Sequence, residues 1–156
     1  MTDSGDVAGR LSPALAGKTV ADVVVRLPKT LGPDVTVGRA REALADAHVH
    51  MLLLTEDGRL LGTLVRADLP AGAAPSERAM PYAVLAGRTI PPTVSAEEAR
   101  QLLLGRGERR LAVVDDGGRL VGLLCLKRRL TGFCSDLDVA ARASDSQETH
   151  DQGAFR

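Results

Sequence analysis

The stretch that decides the fold is Leu52-Leu-Leu-Thr-Glu-Asp-Gly-Arg-Leu-Leu-Gly62, because the chain repeats it as Ala112-Val-Val-Asp-Asp-Gly-Gly-Arg-Leu-Val-Gly122. Each version joins two apolar runs through an acidic, glycine-containing turn, a pattern typical of two antiparallel strands. An upstream segment also recurs, as Thr30-Leu-Gly-Pro-Asp-Val-Thr-Val-Gly-Arg-Ala40 and Thr89-Ile-Pro-Pro-Thr-Val-Ser-Ala-Glu-Glu-Ala99. Two matches in the same order indicate an internal duplication.

Each copy predicts the same series of elements. A short extended piece ends at a proline, a capped helix follows, and a buried strand then turns back into a second strand and a short helical segment. Two further helices are predicted ahead of the copies, Val20–Arg26 and a segment from Ser76 to Ala86. The predicted elements of the copies are Thr30–Leu31, a helix capped by Thr36, Val49–Leu54, Arg59–Val65 and Arg66–Leu69, then Thr89–Ile90, a helix capped by Ser95, Arg110–Val114, Arg119–Cys125 and Lys127–Leu130.

Composition excludes several classes of protein. The 156 residues carry twenty basic and twenty acidic side chains and three aromatic ones, so the chain lacks the basic field and the stacking platforms that nucleic-acid binding requires. Two cysteines cannot form a disulfide framework, and no apolar run reaches the length of a membrane span. The first ten residues carry Asp3 and Asp6 and no apolar core, unlike a signal peptide. We therefore expect a cytoplasmic protein with no nucleic-acid or membrane partner.

The repeated pattern resembles the CBS domain, here in tandem as a Bateman module. In copy one the resemblance is carried by Thr19-Val-Ala-Asp-Val23, Pro33-Asp-Val-Thr-Val37 and Leu52–Asp68, and in copy two by Pro92-Thr-Val-Ser-Ala96 and Leu111–Gly122. It covers about residues 18–132. The resemblance implies a mixed α/β (α+β) fold of two β-α-β-β-α repeats packed about a pseudo-twofold axis. We predict repeats at 18–72 and 73–132, between a flexible N-terminus (1–17) and a polar, disordered tail (133–156).

The resemblance also implies a function. CBS pairs usually act as regulatory sensors that bind AMP, ADP, ATP or S-adenosylmethionine in clefts between the copies, and they commonly form disc-shaped homodimers. They are not themselves enzymes and require no cofactor. The implied function is thus a non-enzymatic module that signals the presence of an adenosine-type or related anionic ligand to a partner protein. The alternative is a dimeric interaction scaffold whose clefts have lost ligand binding.

Ligand-binding members carry a Gly-h-x-Thr/Ser-x-x-Asp pattern, where h is hydrophobic and the carboxylate accepts hydrogen bonds from both ribose hydroxyls. Copy one ends in Asp68 but has Val65 at the hydroxyl position. In copy two, Cys125 replaces the hydroxyl residue and Arg128 replaces the carboxylate, which reverses the charge. The alternative for Asp68 is a structural role at a helix N-terminus, where an acidic side chain is favourable.

Basic side chains flank the predicted buried strands. His50 and Arg110 are the pair expected to reach an anion in a cleft, with help from Arg66 and Lys127, because guanidinium groups bind phosphate oxygens in pairs. The alternative is that these charges face water at a strand end. The full set of candidate ligand-binding residues is Thr30, Leu31, His50, Val65, Arg66, Asp68, Thr89, Ile90, Arg110 and Lys127.

Other motifs favour structural roles. His48 and His50 lack a third nearby ligand for a metal, so no metal site is predicted. Asp115 and Asp116 fall in a predicted turn, where aspartate suits the backbone geometry. The glycines Gly62 and Gly122 are spaced for a close crossing of strands rather than for a phosphate-binding loop.

Overall fold

A computed structural model of the chain describes residues 15–26, 28–127, 130 and 132–134. The predictions for most of the N-terminus, for Arg128 and for the tail from residue 135 lie outside these residues. The elements in chain order are α1 (Val20–Val23), β1 (Thr30–Leu31), α2 (Val37–Leu44), β2 (Leu52–Glu56), β3 (Arg59–Leu64), β4 (Thr89–Ile90), α3 (Ala96–Arg106), β5 (Arg110–Val114) and β6 (Leu120–Cys125), with 3₁₀ turns at Arg66–Asp68 and Met80–Tyr82.

The strands form two three-stranded sheets of the same design, in the orders β1-β2-β3 and β4-β5-β6. In each sheet the short first strand runs parallel to the second, and the second pairs antiparallel with the third. The helix between the first two strands provides the crossover that a parallel pair requires. The predicted mixed fold of two equivalent repeats is confirmed.

Capping residues set where the two longer helices begin, as the sequence predicts. The Thr36 hydroxyl accepts a hydrogen bond of 3.1 Å from the Arg39 N–H, and the Ser95 hydroxyl accepts one of 3.0 Å from the Glu98 N–H. Each bond satisfies a backbone donor that has no partner within its helix. Helix α3 ends at Gly107, whose φ of 68° lies in the left-handed region that glycine adopts without strain.

The hairpin turns bring the two repeats together. Asp57 and Gly58 have φ values of 53° and 82°, the left-handed pair that a tight two-residue hairpin needs. The Leu60 N–H donates to the Gly118 carbonyl (3.1 Å), and the Leu120 N–H donates to the Gly58 carbonyl (2.9 Å). Because these are equivalent positions of the two copies, the reciprocal bonds mark the pseudo-twofold axis.

A shared core lies beside these turns. It combines residues from both sheets and is aliphatic, as expected of a chain with three aromatic residues. Its buried members are Met51, Leu53, Leu60 and Ala112, with Val65, Val114, Leu120 and Leu123 packed against them. Burial of these side chains supplies the hydrophobic stabilisation between the repeats.

The segment ahead of each copy packs on the sheet of the other copy. Val25 forms two backbone hydrogen bonds with Leu123 of β6, and helix α1 packs in the core of the second repeat. At the equivalent positions, Val84 forms two backbone hydrogen bonds with Thr63 of β3, and Tyr82 packs in the core of the first repeat. The leading segments are therefore exchanged between the repeats.

The glycines of the predicted close crossing lie directly under these exchanged segments. A Cβ atom at Gly122 would overlap the Val25 carbonyl oxygen and come within 2.7 Å of a Val24 methyl group, and one at Gly62 would lie 2.7 Å from the Ala83 Cβ. Only glycine allows so close an approach of two backbones. The predicted role of the two glycines is confirmed.

The predicted helix from Ser76 to Ala86 is wrong, since this segment forms only the 3₁₀ turn Met80–Tyr82. In an α-helix the ring of Pro81 would clash with the Glu77 carbonyl, which instead accepts a hydrogen bond of 2.8 Å from the Val37 N–H.

The predicted helix Val20–Arg26 is too long. Helix α1 ends at Val23, because Val24 is extended and Val25 forms backbone hydrogen bonds with β6. Strand β2 begins at Leu52 rather than at Val49.

Candidate functional site

A cleft of about 240 Å³ lies between the two repeats. Copy one contributes residues just before β2 and just after β3. Copy two contributes the residue that precedes β4 and those that precede and begin β5. Its lining residues are His50, Met51, Val65, Arg88, Glu108, Arg109 and Arg110. The three arginines outnumber the acidic side chains, which are Glu108 in the lining and Asp68 paired with Arg88, so the cleft is cationic and favours an anionic occupant.

Asp68 and Arg88 form a two-pronged ion pair at this cleft. One guanidinium nitrogen of Arg88 lies 2.6 Å from Asp68 Oδ2, and the other lies 3.0 Å from Oδ1. The side chains are 13% and 23% exposed, so the pair is shielded from water on most sides. Parallel N–H···O bonds to a carboxylate are among the strongest that proteins form. The pair joins the end of copy one to the start of copy two.

Asp68 has a second structural role. Its Oδ2 accepts a hydrogen bond of 2.8 Å from the Val65 N–H, which caps the 3₁₀ turn at Arg66–Asp68. Arg88 also donates a weaker bond of 3.3 Å to the Thr63 hydroxyl. The carboxylate is thus positioned by the turn that holds it and by a guanidinium from the other repeat.

Burial and hydrogen bonding act in opposite directions on the pKa of the Asp68 carboxyl. Burial raises this pKa, but the hydrogen bonds from Arg88 and Val65, together with the charge of Arg88, outweigh burial and hold the pKa below its ordinary value. The hydrogen bond with Asp68 raises the pKa of Arg88; burial opposes the rise, and the charges of Asp68 and Glu108 add to it. Both groups are therefore ionised at neutral pH.

Four candidate residues meet at this cleft. His50, Val65 and Arg110 line it, and Asp68 reaches it through its pair with Arg88. Arg66 lies elsewhere: it donates bonds of 2.9 Å to the Asp46 and Val49 carbonyls and lines a separate depression of about 200 Å³ beside helix α2. In this position Arg66 holds the loop between α2 and β2.

The remaining candidates are placed by the sheets. Thr30 and Leu31 pair with β2, and Thr89 and Ile90 pair with β5; none of the four is among the described residues that line the cleft. Ile90 is buried in the core of the second repeat, and Leu31 packs against that of the first. Lys127 is exposed just after β6.

Other residues considered in the sequence have structural positions. The Asp115 side chain accepts bonds of 2.9 Å from the Gly117 and Arg119 N–H groups, which supports its predicted turn role. Cys125 is buried with its sulfur 2.9 Å from that of Cys134.

In the described part of the chain, no group of three or more histidine, cysteine, aspartate or glutamate residues could hold a metal ion. The helices described there are all too short or too polar to cross a membrane.

The functional residue that the sequence did not reveal is Arg88. It directly precedes β4, at the position that Lys29 occupies ahead of β1, so a basic residue stands before the first strand of each repeat. That recurrence is the signal in the sequence. It does not identify Asp68 as the partner, because the two residues meet only when the leading segment of copy two packs on copy one.

A search against protein families gives a match to the CBS domain at residues 20–69 and 84–134. The chain belongs to the CBS domain family. Both repeats of the structure fall within the matched ranges, and together the ranges cover more than half of the chain. The site described above is therefore a cleft between two CBS domains.

Individual relatives are more distant. The chain is 27% identical over 112 residues to inosine-5'-monophosphate dehydrogenase from Thermoplasma acidophilum, covering 70% of this chain and 22% of that enzyme. The fold is similar to that of CBSX2 in complex with AMP (24% identity, TM-score 0.62, 85% and 99% of the two chains). It is also similar to the CBS domain pair of MJ0100 in complex with 5'-methylthioadenosine and S-adenosyl-L-methionine (17% identity, TM-score 0.57, 83% and 98%).

Proposed function

We propose that this protein is a regulatory CBS pair that binds an adenosine-type nucleotide or a related anionic ligand in its inter-repeat cleft and signals occupancy to a partner protein. The observation that carries the proposal is the lining of the cleft, where Arg88, Arg109 and Arg110 gather around a space shared by both repeats. The protein is not itself an enzyme, and its partner is neither a nucleic acid nor a membrane.

The chemistry of the cleft fits a phosphorylated ligand. Guanidinium groups bind phosphate oxygens through paired hydrogen bonds, and a cleft that is partly withdrawn from water strengthens such bonds. Met51 and Val65 add an apolar wall suited to a base or a sugar face. Because residues of both repeats line the cleft, an occupant joins the two repeats and changes how firmly they are held together.

Thermal unfolding with a panel of AMP, ADP, ATP and S-adenosylmethionine tests the proposal. A ligand at a hundredfold excess over its Kd adds about 2.7 kcal/mol of stability. For a chain of this size that corresponds to a rise in Tm of about 5 to 10 °C. If no member of the panel raises the Tm of the wild-type protein at millimolar concentration, the proposed function is wrong.

A matched pair of variants tests whether the ligand binds in this cleft. Arg110→Met removes a cleft guanidinium, and we expect it to weaken binding of the active nucleotide about tenfold, the effect of losing one charge-assisted hydrogen bond. Arg39→Met is the control, because Arg39 is exposed on α2 and its 3.7 Å ion pair with Glu42 lies outside the cleft lining. Equal affinities in the two variants would contradict binding in this cleft.

The second candidate function is a homodimeric scaffold that binds no ligand. It is favoured by the Asp68 carboxylate, which already pairs with Arg88 through both of its oxygens. The exposed Leu85, 45% accessible at the crossing between the repeats, adds apolar surface for a second copy. Analytical ultracentrifugation tests this alternative: a dimer that persists without any ligand response supports the scaffold, and a monomer at micromolar concentration excludes it.

A further inference from the structure

We infer that Arg88 is a specificity-determining residue of the cleft: it excludes uncharged nucleosides and admits a nucleoside only when the ligand carries an anionic group. The inference rests on the proposed function, since it concerns the ligand class of the same cleft. The geometry that carries it is the two-pronged contact of Arg88 with Asp68.

The guanidinium of Arg88 already binds the two carboxylate oxygens of Asp68 that a ribose diol would need as hydrogen-bond acceptors. Both carboxylate oxygens of Asp68 receive a bond from Arg88, and Oδ2 receives a further bond from the Val65 N–H. A vicinal diol offers the same arrangement of two donors as the guanidinium fork, so the two compete for the carboxylate. A sugar can therefore bind Asp68 only after Arg88 has left it.

Displacement of Arg88 is unfavourable unless the guanidinium gains a new anionic partner. Its side chain is 23% exposed, and the cationic Arg109 and Arg110 of the cleft lining offer it no acceptor. The acidic residue of that lining, Glu108, is 54% exposed and already forms a 3.7 Å ion pair with Arg106. An uncharged nucleoside would take the Asp68 carboxylate from this guanidinium and supply no anion in return, which is costly in a shielded position. A phosphate in the same cleft would accept the freed guanidinium in a bidentate contact.

The result is an exchange of partners. Asp68 passes from Arg88 to the ribose hydroxyls, and Arg88 passes from Asp68 to the phosphate. The backbone need not move, because the Arg88 N–H donates to the Leu85 carbonyl (3.1 Å) and the Arg88 carbonyl accepts from the Ala112 N–H (2.9 Å). Rotation of one long side chain is sufficient.

Isothermal titration of the full-length protein with AMP and with adenosine tests the inference. Wild-type protein is expected to bind AMP at least about thirtyfold more tightly than adenosine, the low end of the cost of leaving one member of a shielded charge pair without its partner. In Arg88→Met the carboxylate is open to the diol. The ratio of the adenosine Kd to the AMP Kd is then expected to fall about tenfold or more, because adenosine binds more tightly and AMP more weakly.

The controls separate this inference from the proposed function. Arg110→Met also removes a cleft cation but leaves the Asp68–Arg88 pair intact, so AMP should weaken while adenosine stays excluded. If Arg88→Met does not fold, as judged by circular dichroism, Arg88→Gln replaces it, since glutamine keeps a polar side chain but carries no charge; the ratio should fall there too. AMP binding with an unchanged ratio overturns the inference alone. If another nucleotide of the panel binds in place of AMP, that nucleotide replaces AMP in the ratio. Absence of binding by every member of the panel overturns the proposed function and the inference with it.

Discussion

Replacing Gly122 by alanine tests the exchange of leading segments between the repeats. The new Cβ would overlap the Val25 carbonyl oxygen and approach Val24. Val25 cannot shift aside freely, because its N–H donates to the Leu123 carbonyl (2.8 Å) and its carbonyl accepts from the Leu123 N–H (2.9 Å). The added methyl group must therefore break or stretch this two-bond bridge.

The magnitude follows from those contacts. Two backbone hydrogen bonds contribute about 0.5 to 1.5 kcal/mol each, and overpacking a tight site costs about 1 to 3 kcal/mol. We expect Gly122→Ala to lower the free energy of unfolding by about 2 to 4 kcal/mol, since part of the strain is relieved when the bonds lengthen. Gly62→Ala should cost less, because the nearest atoms there are the side chains of Ala83 and Met80.

Urea denaturation followed by far-ultraviolet circular dichroism measures these effects, since the chain has no tryptophan. Gly105→Ala is the matched control: Gly105 lies inside α3, and a Cβ there meets nothing within 4 Å. Alanine at that position should stabilise the protein by about 0.5 to 1 kcal/mol, because glycine is a poor helix former. If Gly122→Ala matches the wild-type stability to within 0.5 kcal/mol, the close crossing does not hold the repeats together.

Two further predictions concern the charged residues of the 3₁₀ turn Arg66–Asp68. Because the folded-state pKa of Asp68 lies below its usual value of 3.8, its contribution to stability is present above that pH and is lost as pH falls through the lowered pKa. Urea denaturation between pH 6 and pH 2.5 should thus show a shallower acid-side decline for Asp68→Asn than for wild type; identical slopes would contradict the ion pair. Arg66→Met should lower stability by about 1 kcal/mol, because it removes two hydrogen bonds to the loop between α2 and β2, and should leave nucleotide affinity unchanged. A loss of affinity in titration calorimetry would place Arg66 in the ligand site after all.

Local signals in the sequence predict local structure well. The turn at Asp57 and Gly58 requires positive φ angles, and few residue types supply them at low cost. Ser95 at the start of α3 offers a hydroxyl where a backbone donor needs one. In each case the residues that specify the feature are neighbours in the chain, so the sequence alone is sufficient.

Features that depend on contacts between distant segments could not be predicted from the sequence alone. The segment from Ser76 to Ala86 has a capping residue and apolar side chains, but Pro81 and the pairing of Val84 with Thr63 hold it outside a helix. Arg66 and Asp68 lie two residues apart on one short turn, yet Arg66 faces the loop between α2 and β2 and Asp68 faces Arg88. Which way a side chain points on such a turn is set by tertiary packing.

The two repeats differ in the residues that the exchange of leading segments brings together. Because the segment ahead of copy two packs on copy one and then crosses at Leu85–Arg88, it delivers Arg88 to Asp68. The duplication places Lys29 at the position of Arg88 and Arg128 at the position of Asp68 in the other half of the molecule. Two cations cannot form the equivalent pair, and a cation cannot accept hydrogen bonds from a ribose diol. The partner exchange inferred for Arg88 is therefore available at one inter-repeat position, and a nucleoside 5'-phosphate should bind this pair with a stoichiometry of one per chain.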